Sequence, residues 1–119
     1  MATPFLFHDL RTTDLPASRR FYGELFGWDI KDVPAGDRSV PMLFDTEGGP
    51  WGGVTELPPG DERSPQWLPY AAVEDLDAAT EKAIALGATV ARARTDLPQG
   101  SLVVLHDPAG ATIVLWQNR

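Results

Sequence analysis

The chain repeats itself. Asp14-Leu15-Pro16-Ala17-Ser18 and Asp75-Leu76-Asp77-Ala78-Ala79 match at an offset of 61 residues, and Gly27 and Gly87 follow at an offset of 60. In a chain of 119 residues that is half the length, so one supersecondary unit is used twice. Each copy places a short acceptor side chain where a helix N-cap wants one and a glycine where the helix must stop. A strand-like run precedes each helix, Thr3 to Arg11 and Trp67 to Val73. Three more follow it: Trp28 to Val33, Val40 to Asp45 and Trp51 to Leu57 in the first half, Val90 to Arg94, Leu102 to His106 and Ala111 to Trp116 in the second. Pro34-Ala35-Gly36-Asp37, Gly48-Gly49-Pro50 and Asp107-Pro108-Ala109-Gly110 punctuate them as turns. The expected fold class is α+β: two βαβββ modules, about residues 3–57 and 67–117, joined by the Pro-rich linker 58–66 in a single domain 1–119.

Composition removes several functions. There is no cysteine, which excludes disulfides, thiolate metal sites and thiol nucleophiles. Acidic residues outnumber basic ones 17 to 10, for a net charge of −7, a balance that repels nucleic acid and anionic membranes. No apolar run reaches the ~18 residues of a membrane span, and the N-terminal residues lack a basic and then apolar leader pattern. The expectation is a soluble cytoplasmic protein with no nucleic-acid or membrane partner.

The residues carrying the repeat are specific. Thr12-Thr13-Asp14-Leu15 with Phe21-Tyr22-Gly23-Glu24-Leu25-Phe26-Gly27-Trp28, then Val73-Glu74-Asp75-Leu76-Asp77-Ala78-Ala79, Leu86-Gly87-Ala88 and Asp107-Pro108-Ala109-Gly110, resemble the vicinal oxygen chelate superfamily of glyoxalases, bleomycin resistance proteins and extradiol dioxygenases. The resemblance covers essentially the whole chain. It implies two βαβββ modules whose curved mixed sheets enclose a cleft, with the helices on the outer faces. In metal-using members of that family a divalent ion in the cleft, held by His and Glu from both modules, chelates two substrate oxygens.

The positions matching those ligands are not ligands here. The resemblance puts the first at Phe7, its counterpart at Leu68 and the last at Val114, while the fourth falls at Gly52 to Val54. Phe, Leu and Val donate no electron pair to a cation. Glu56 enters only if the register of strand 51–57 shifts by a residue or two, and His8 alternates to the face opposite Phe7. No metal and no cofactor are therefore expected.

If Phe7 faces the cleft, as the resemblance implies, alternation brings Asp9 and Arg11 there too, and Leu68, Tyr70, Val114 and Trp116 in the second module. Aromatic and aliphatic walls with a few polar groups suit a small-molecule pocket. The leading expectation is a homodimeric binding protein, similar to bleomycin resistance proteins, in which Phe7, Tyr70 and Trp116 stack on an apolar or amphipathic metabolite oriented by Asp9 and Arg11. A metal-independent enzyme using Asp9 or His106 as acid and base is the second reading. A metal enzyme recruiting Glu56 and His8 is the third. Whether a reaction is catalysed at all stays open at this stage.

Overall fold

The computed structural model describes residues 4–45 and 49–119. Thr3, expected to begin the first strand, and Gly48, expected in a turn, lie outside the described residues. The order of elements is β1 (Phe5–Thr12), α1 (Leu15–Phe26), β2 (Asp29–Ala35), β3 (Arg38–Phe44), β4 (Pro50–Glu56), β5 (Gln66–Ala72), α2 (Leu76–Ala85), β6 (Thr89–Asp96), β7 (Gly100–His106) and β8 (Thr112–Asn118). This is the α+β sequence of strand, helix and three strands, used twice. By internal contacts the chain divides into two compact units, Phe7–Trp67 and Leu68–Arg119, the latter with the residues up to Leu6.

In the first unit the strand order is β2-β3-β4-β1, with β4 parallel to β1 and the hairpins antiparallel. Helix α1 opens at Asp14, whose Oδ1 accepts the Ala17 N–H at 3.0 Å, and closes at Gly27, held at φ 76°. Only glycine takes that left-handed turn at no steric cost. Leu10, Ile30, Leu43 and Val54 form the core, with Leu15, Tyr22, Trp28, Trp51 and Trp67 packed against it. Leu43 is completely buried, so truncating it to alanine costs about 2–5 kcal/mol.

In the second unit the order is β5-β8-β7-β6. Leu76, Val103 and Leu105 pack on one face of the sheet with Ala83 of α2. Leu68, Leu102, Val104 and Val114 pack on the other, flanked by Tyr70 and Trp116. Because β7 is buried on both faces, its run Leu102-Val103-Val104-Leu105 is apolar throughout instead of alternating. Strand β6 is exposed along most of its length; its register shifts twice against β7, and Arg92 and Arg94 lie along it. Bulges and charges of this kind protect a sheet edge from adding another strand.

One turn differs from expectation. Strand β2 runs through Pro34 and Ala35, which pair with Ser39 and Arg38, leaving Gly36 and Asp37 as the turn. Pro34 is tolerated because β2 is an edge strand, where a missing N–H interrupts no ladder.

The repeat holds at the level of atoms. Asp9 pairs with Gly53 in β1/β4, and Tyr70 pairs with Val114 in β5/β8, the same pairing displaced by 61 residues. Asp75 Oδ1 accepts the Ala78 N–H at 3.0 Å, duplicating the Asp14 cap. A second tie is also duplicated: Glu56 Oε2 accepts the Leu15 N–H at 3.1 Å, and Gln117 Oε1 accepts the Leu76 N–H at 2.7 Å. Each module thus uses the end of its last strand to satisfy an orphan donor in the first turn of its helix.

Candidate functional site

In the first unit, parallel pairing sends His8, Leu10, Gly52 and Val54 to the helix side and leaves Phe7, Asp9, Arg11, Gly53 and Thr55 on the opposite face. Gly53 is next to both neighbours: a methyl built there would meet Asp9 Oδ1 at 3.1 Å and Phe7 Cζ at 3.3 Å. Asp9 and Arg11 are each only 9% exposed. Thr55 Oγ1 donates to Asp9 Oδ2 at 3.0 Å. Burial pushes the Asp9 carboxyl above the usual carboxylate range, against the smaller opposing pulls of the Thr55 hydrogen bond and the Arg11 charge. An aspartic acid so placed holds its proton to a higher pH than a free carboxyl does and can exchange it with a bound molecule. The Arg11 charge also acts on Asp61 in the linker, whose bidentate pairing with Arg63, at 2.9 and 2.7 Å, holds its carboxyl down at about 2.

Phe7, Asp9 and Arg11 therefore share one face, joined by Thr55. Sequence reasoning missed Thr55 because it left the register of β4 open; the 61-residue offset, applied from Tyr70–Val114 back to Asp9–Gly53, was the signal that fixes it.

In the second unit, Leu68, Tyr70, Val114 and Trp116 lie together on the face away from α2. The Tyr70 and Trp116 rings are tilted at 41° with centroids 6.0 Å apart. Trp116 Nε1 donates to Asn118 Oδ1 at 2.7 Å, a partner the sequence did not suggest. His106, at the end of β7, has its Nδ1 3.2 Å from the Thr112 hydroxyl.

At the positions where the resemblance to the superfamily implies metal ligands, the side chains are not donors. Phe7, Leu68 and Val114 stand at three of the positions that the resemblance implies, and Gly53 pairs with Asp9. Glu56 turns to the start of α1. His8 sits edge-on to Trp51, with ring centroids 6.2 Å apart. Among the described residues no three His, Asp or Glu side chains are grouped to hold a metal ion.

The tryptophans of the first unit occupy its helix side. Trp51 reaches it through a β-bulge: Leu43 pairs with Gly52 but Phe44 pairs with Pro50, so Trp51 is the extra residue and turns to the face its parity would deny it. It meets Trp28 at 4.7 Å and Trp67 at 6.0 Å. Trp67 Nε1 donates to the Tyr22 hydroxyl at 3.0 Å.

A four-stranded mixed sheet with one helix, built twice from a repeated βαβββ unit, defines a vicinal oxygen chelate protein. Comparison with known families agrees: the chain belongs to the glyoxalase-like domain family, matched over residues 6–116. It is 35% identical over 113 residues to CFP32 of Mycobacterium tuberculosis, provisionally named a glyoxylase, covering 92% of this chain and 43% of that one. It is 31% identical over 124 residues to the anthracycline biosynthesis protein DnrV of Streptomyces peucetius, covering 92% and 45%. The chain thus spans less than half the length of these relatives. Among solved structures, methylmalonyl-CoA epimerase of Streptomyces coelicolor superposes with a TM-score of 0.61 at 18% identity, covering 99% of both chains. The epimerase of Mycobacterium tuberculosis superposes with a TM-score of 0.60 at 17% identity, covering 100% of this chain and 93% of that one. Identities this low establish the shared fold. No helix among the described residues is long and apolar enough to cross a membrane.

Proposed function

We propose that this glyoxalase-like protein binds a small amphipathic molecule without a metal ion, on the first-unit face that carries Phe7, Asp9, Arg11 and Thr55. The observation that supports this most directly is the buried Asp9, hydrogen-bonded by Thr55 and next but one to a buried arginine. Phe7, packed over Gly53, offers an apolar surface, and the Arg11 guanidinium is a fork of donors suited to a carboxylate or carbonyl. Where the resemblance implies metal ligands, Phe7, Leu68 and Val114 stand, and their side chains bind no cation.

The raised Asp9 carboxyl favours a second reading in which the same face catalyses metal-independent proton transfer. Protonated Asp9 would then act as the acid toward a bound carbonyl oxygen, and its conjugate base would take a proton from an adjacent carbon.

Thermal-shift screening of carboxylic and carbonyl-containing amphiphiles, with and without saturating chelator, tests both. Ligand-dependent stabilisation that survives chelator and is lost in Arg11→Lys supports the binding reading; dependence on added metal refutes it. Chelator-resistant turnover abolished in Asp9→Asn, with ligand stabilisation retained, supports catalysis.

A further inference from the structure

On the opposite side of the same sheet, His8, Trp28, Trp51 and Trp67 line an open pocket of about 390 Å³, at the small end of the range for ligand sites. The three indoles are set as a corner. Trp51 and Trp67 are nearly parallel, at 18°, while Trp28 stands at 73° to the first and 87° to the second. The arrangement is held from behind by Tyr22, stacked on Trp28 at 5.6 Å and 12° and edge-on to Trp67 at 5.3 Å.

Two features narrow what such a corner can hold. Its lining residues present rings, with no carboxylate or amide among them, and the Trp67 N–H is already used on Tyr22. A ligand that needs several hydrogen bonds loses them on entry, at a cost the pocket does not offset. The negative π faces of tryptophan attract a cation more strongly than those of any other side chain, and the net charge of −7 enriches cations around the chain.

We propose that His8, Trp28, Trp51 and Trp67 form a binding site for a quaternary methylammonium group. Such a group carries full charge, has no N–H to satisfy, and exposes methyl groups that pack on the rings. A primary ammonium would forfeit its hydrogen bonds in the same place. The site is independent of the Asp9 face: His8 and Asp9 are consecutive on β1 and point to opposite sides of the sheet. The Trp51 bulge is what makes it, since without the extra residue the third wall would face the other way.

The test uses choline and neohexyl alcohol, its uncharged isostere with carbon in place of nitrogen, titrated into the wild-type chain. The indole N–H resonances of the four tryptophans are followed by NMR. Choline should shift the Trp28, Trp51 and Trp67 signals in a saturable way and leave Trp116 in place, binding roughly tenfold tighter than the alcohol. Single Trp→Phe variants at 28, 51 and 67 keep an apolar wall with a weaker π face, and each should reduce choline affinity about three- to tenfold. Equal affinity for choline and the alcohol overturns the proposal, as does the absence of a saturable shift with choline. Shifts that track protein concentration and not choline overturn it too, by assigning the pocket to a second copy of the chain.

Discussion

Gly52 and Gly53 are neighbours on β4 that differ mainly in the face they would present, and replacing each by alanine separates packing from site. A methyl at Gly52 would lie 2.5 Å from the His8 carbonyl oxygen and 3.0 Å from Leu43 Cδ1. The first of these atoms is the backbone of the paired strand, which cannot retreat without breaking the β1/β4 ladder. A methyl at Gly53 would lie 3.1 Å from Asp9 Oδ1 and 3.3 Å from Phe7 Cζ, both side-chain atoms that need yield only a few tenths of an ångström. Overpacking costs roughly 1–3 kcal/mol, so Gly52→Ala belongs near 3 and Gly53→Ala near 1 on that approximate scale. At about 4 °C per kcal/mol for a chain of this size, the Tm should fall by about 12 °C in the first and about 4 °C in the second. Thermal melts followed by circular dichroism, with urea midpoints as a check, measure the difference. Gly53→Ala should also weaken any ligand held against Asp9 and Phe7, which Gly52→Ala leaves alone when measured well below its Tm. If Gly53→Ala proves the more destabilising of the two, the β1/β4 register is wrong and Asp9 does not share a face with Thr55.

Further outcomes follow from single groups. Since burial raises Asp9, the native chain holds that proton more tightly than the unfolded chain; the resulting stabilisation is full below 3.8 and is lost as pH rises through the folded value. Asp9→Asn should therefore gain stability relative to wild type as pH rises above 3.8, and a difference in urea midpoint that does not change with pH contradicts the assignment. The Glu56 and Gln117 ties should each contribute about 1 kcal/mol, as helix-capping side chains do. Glu56→Ala and Gln117→Ala should then show similar losses in urea unfolding despite the charge difference, whereas a loss in only one would break the equivalence of the two modules. Asp61, half-buried and held at about 2 by Arg63, contributes above 3.8 and loses that contribution as pH falls. Asp61→Asn should lower the neutral-pH Tm slightly and flatten the acid limb, so that the variant and the wild type converge as pH falls through the folded value.

The architecture was legible because its determinants are local and duplicated. The caps Asp14 and Asp75, the stops at Gly27 and Gly87, and the alternation of Phe7, Asp9 and Arg11 all announce themselves within a few residues. Helix α1 runs between its Asp14 cap and its Gly27 stop, and the face shared by Leu68, Tyr70, Val114 and Trp116 follows from parity alone. What escaped depends on cross-strand register or on side chains far apart in the chain. Trp51 looked like the start of an ordinary strand, and nothing local reveals that it is the surplus residue of a bulge. Glu56 entered only the third reading, as a metal donor under a shifted register; its backbone partner Leu15 is 41 residues away. Thr55 became visible as the partner of Asp9 only when β4 was laid beside β1.

The paired ties from Glu56 to Leu15 and from Gln117 to Leu76 bear on the order in which the chain folds. Helix starts are commonly stabilised from within, by residues a turn away, so that a helix can form early. Here part of the stabilisation at each helix start arrives from 41 residues downstream, after two hairpins have been laid down and the last strand has docked. Each module is thus closed by its final residues, and the first turn of its helix should be among the last parts to become protected from hydrogen exchange during refolding. Such long-range closure slows folding in proportion to the chain that must be gathered first. It also means that a nascent module cut short before Glu56 or Gln117 has a helix with a frayed beginning.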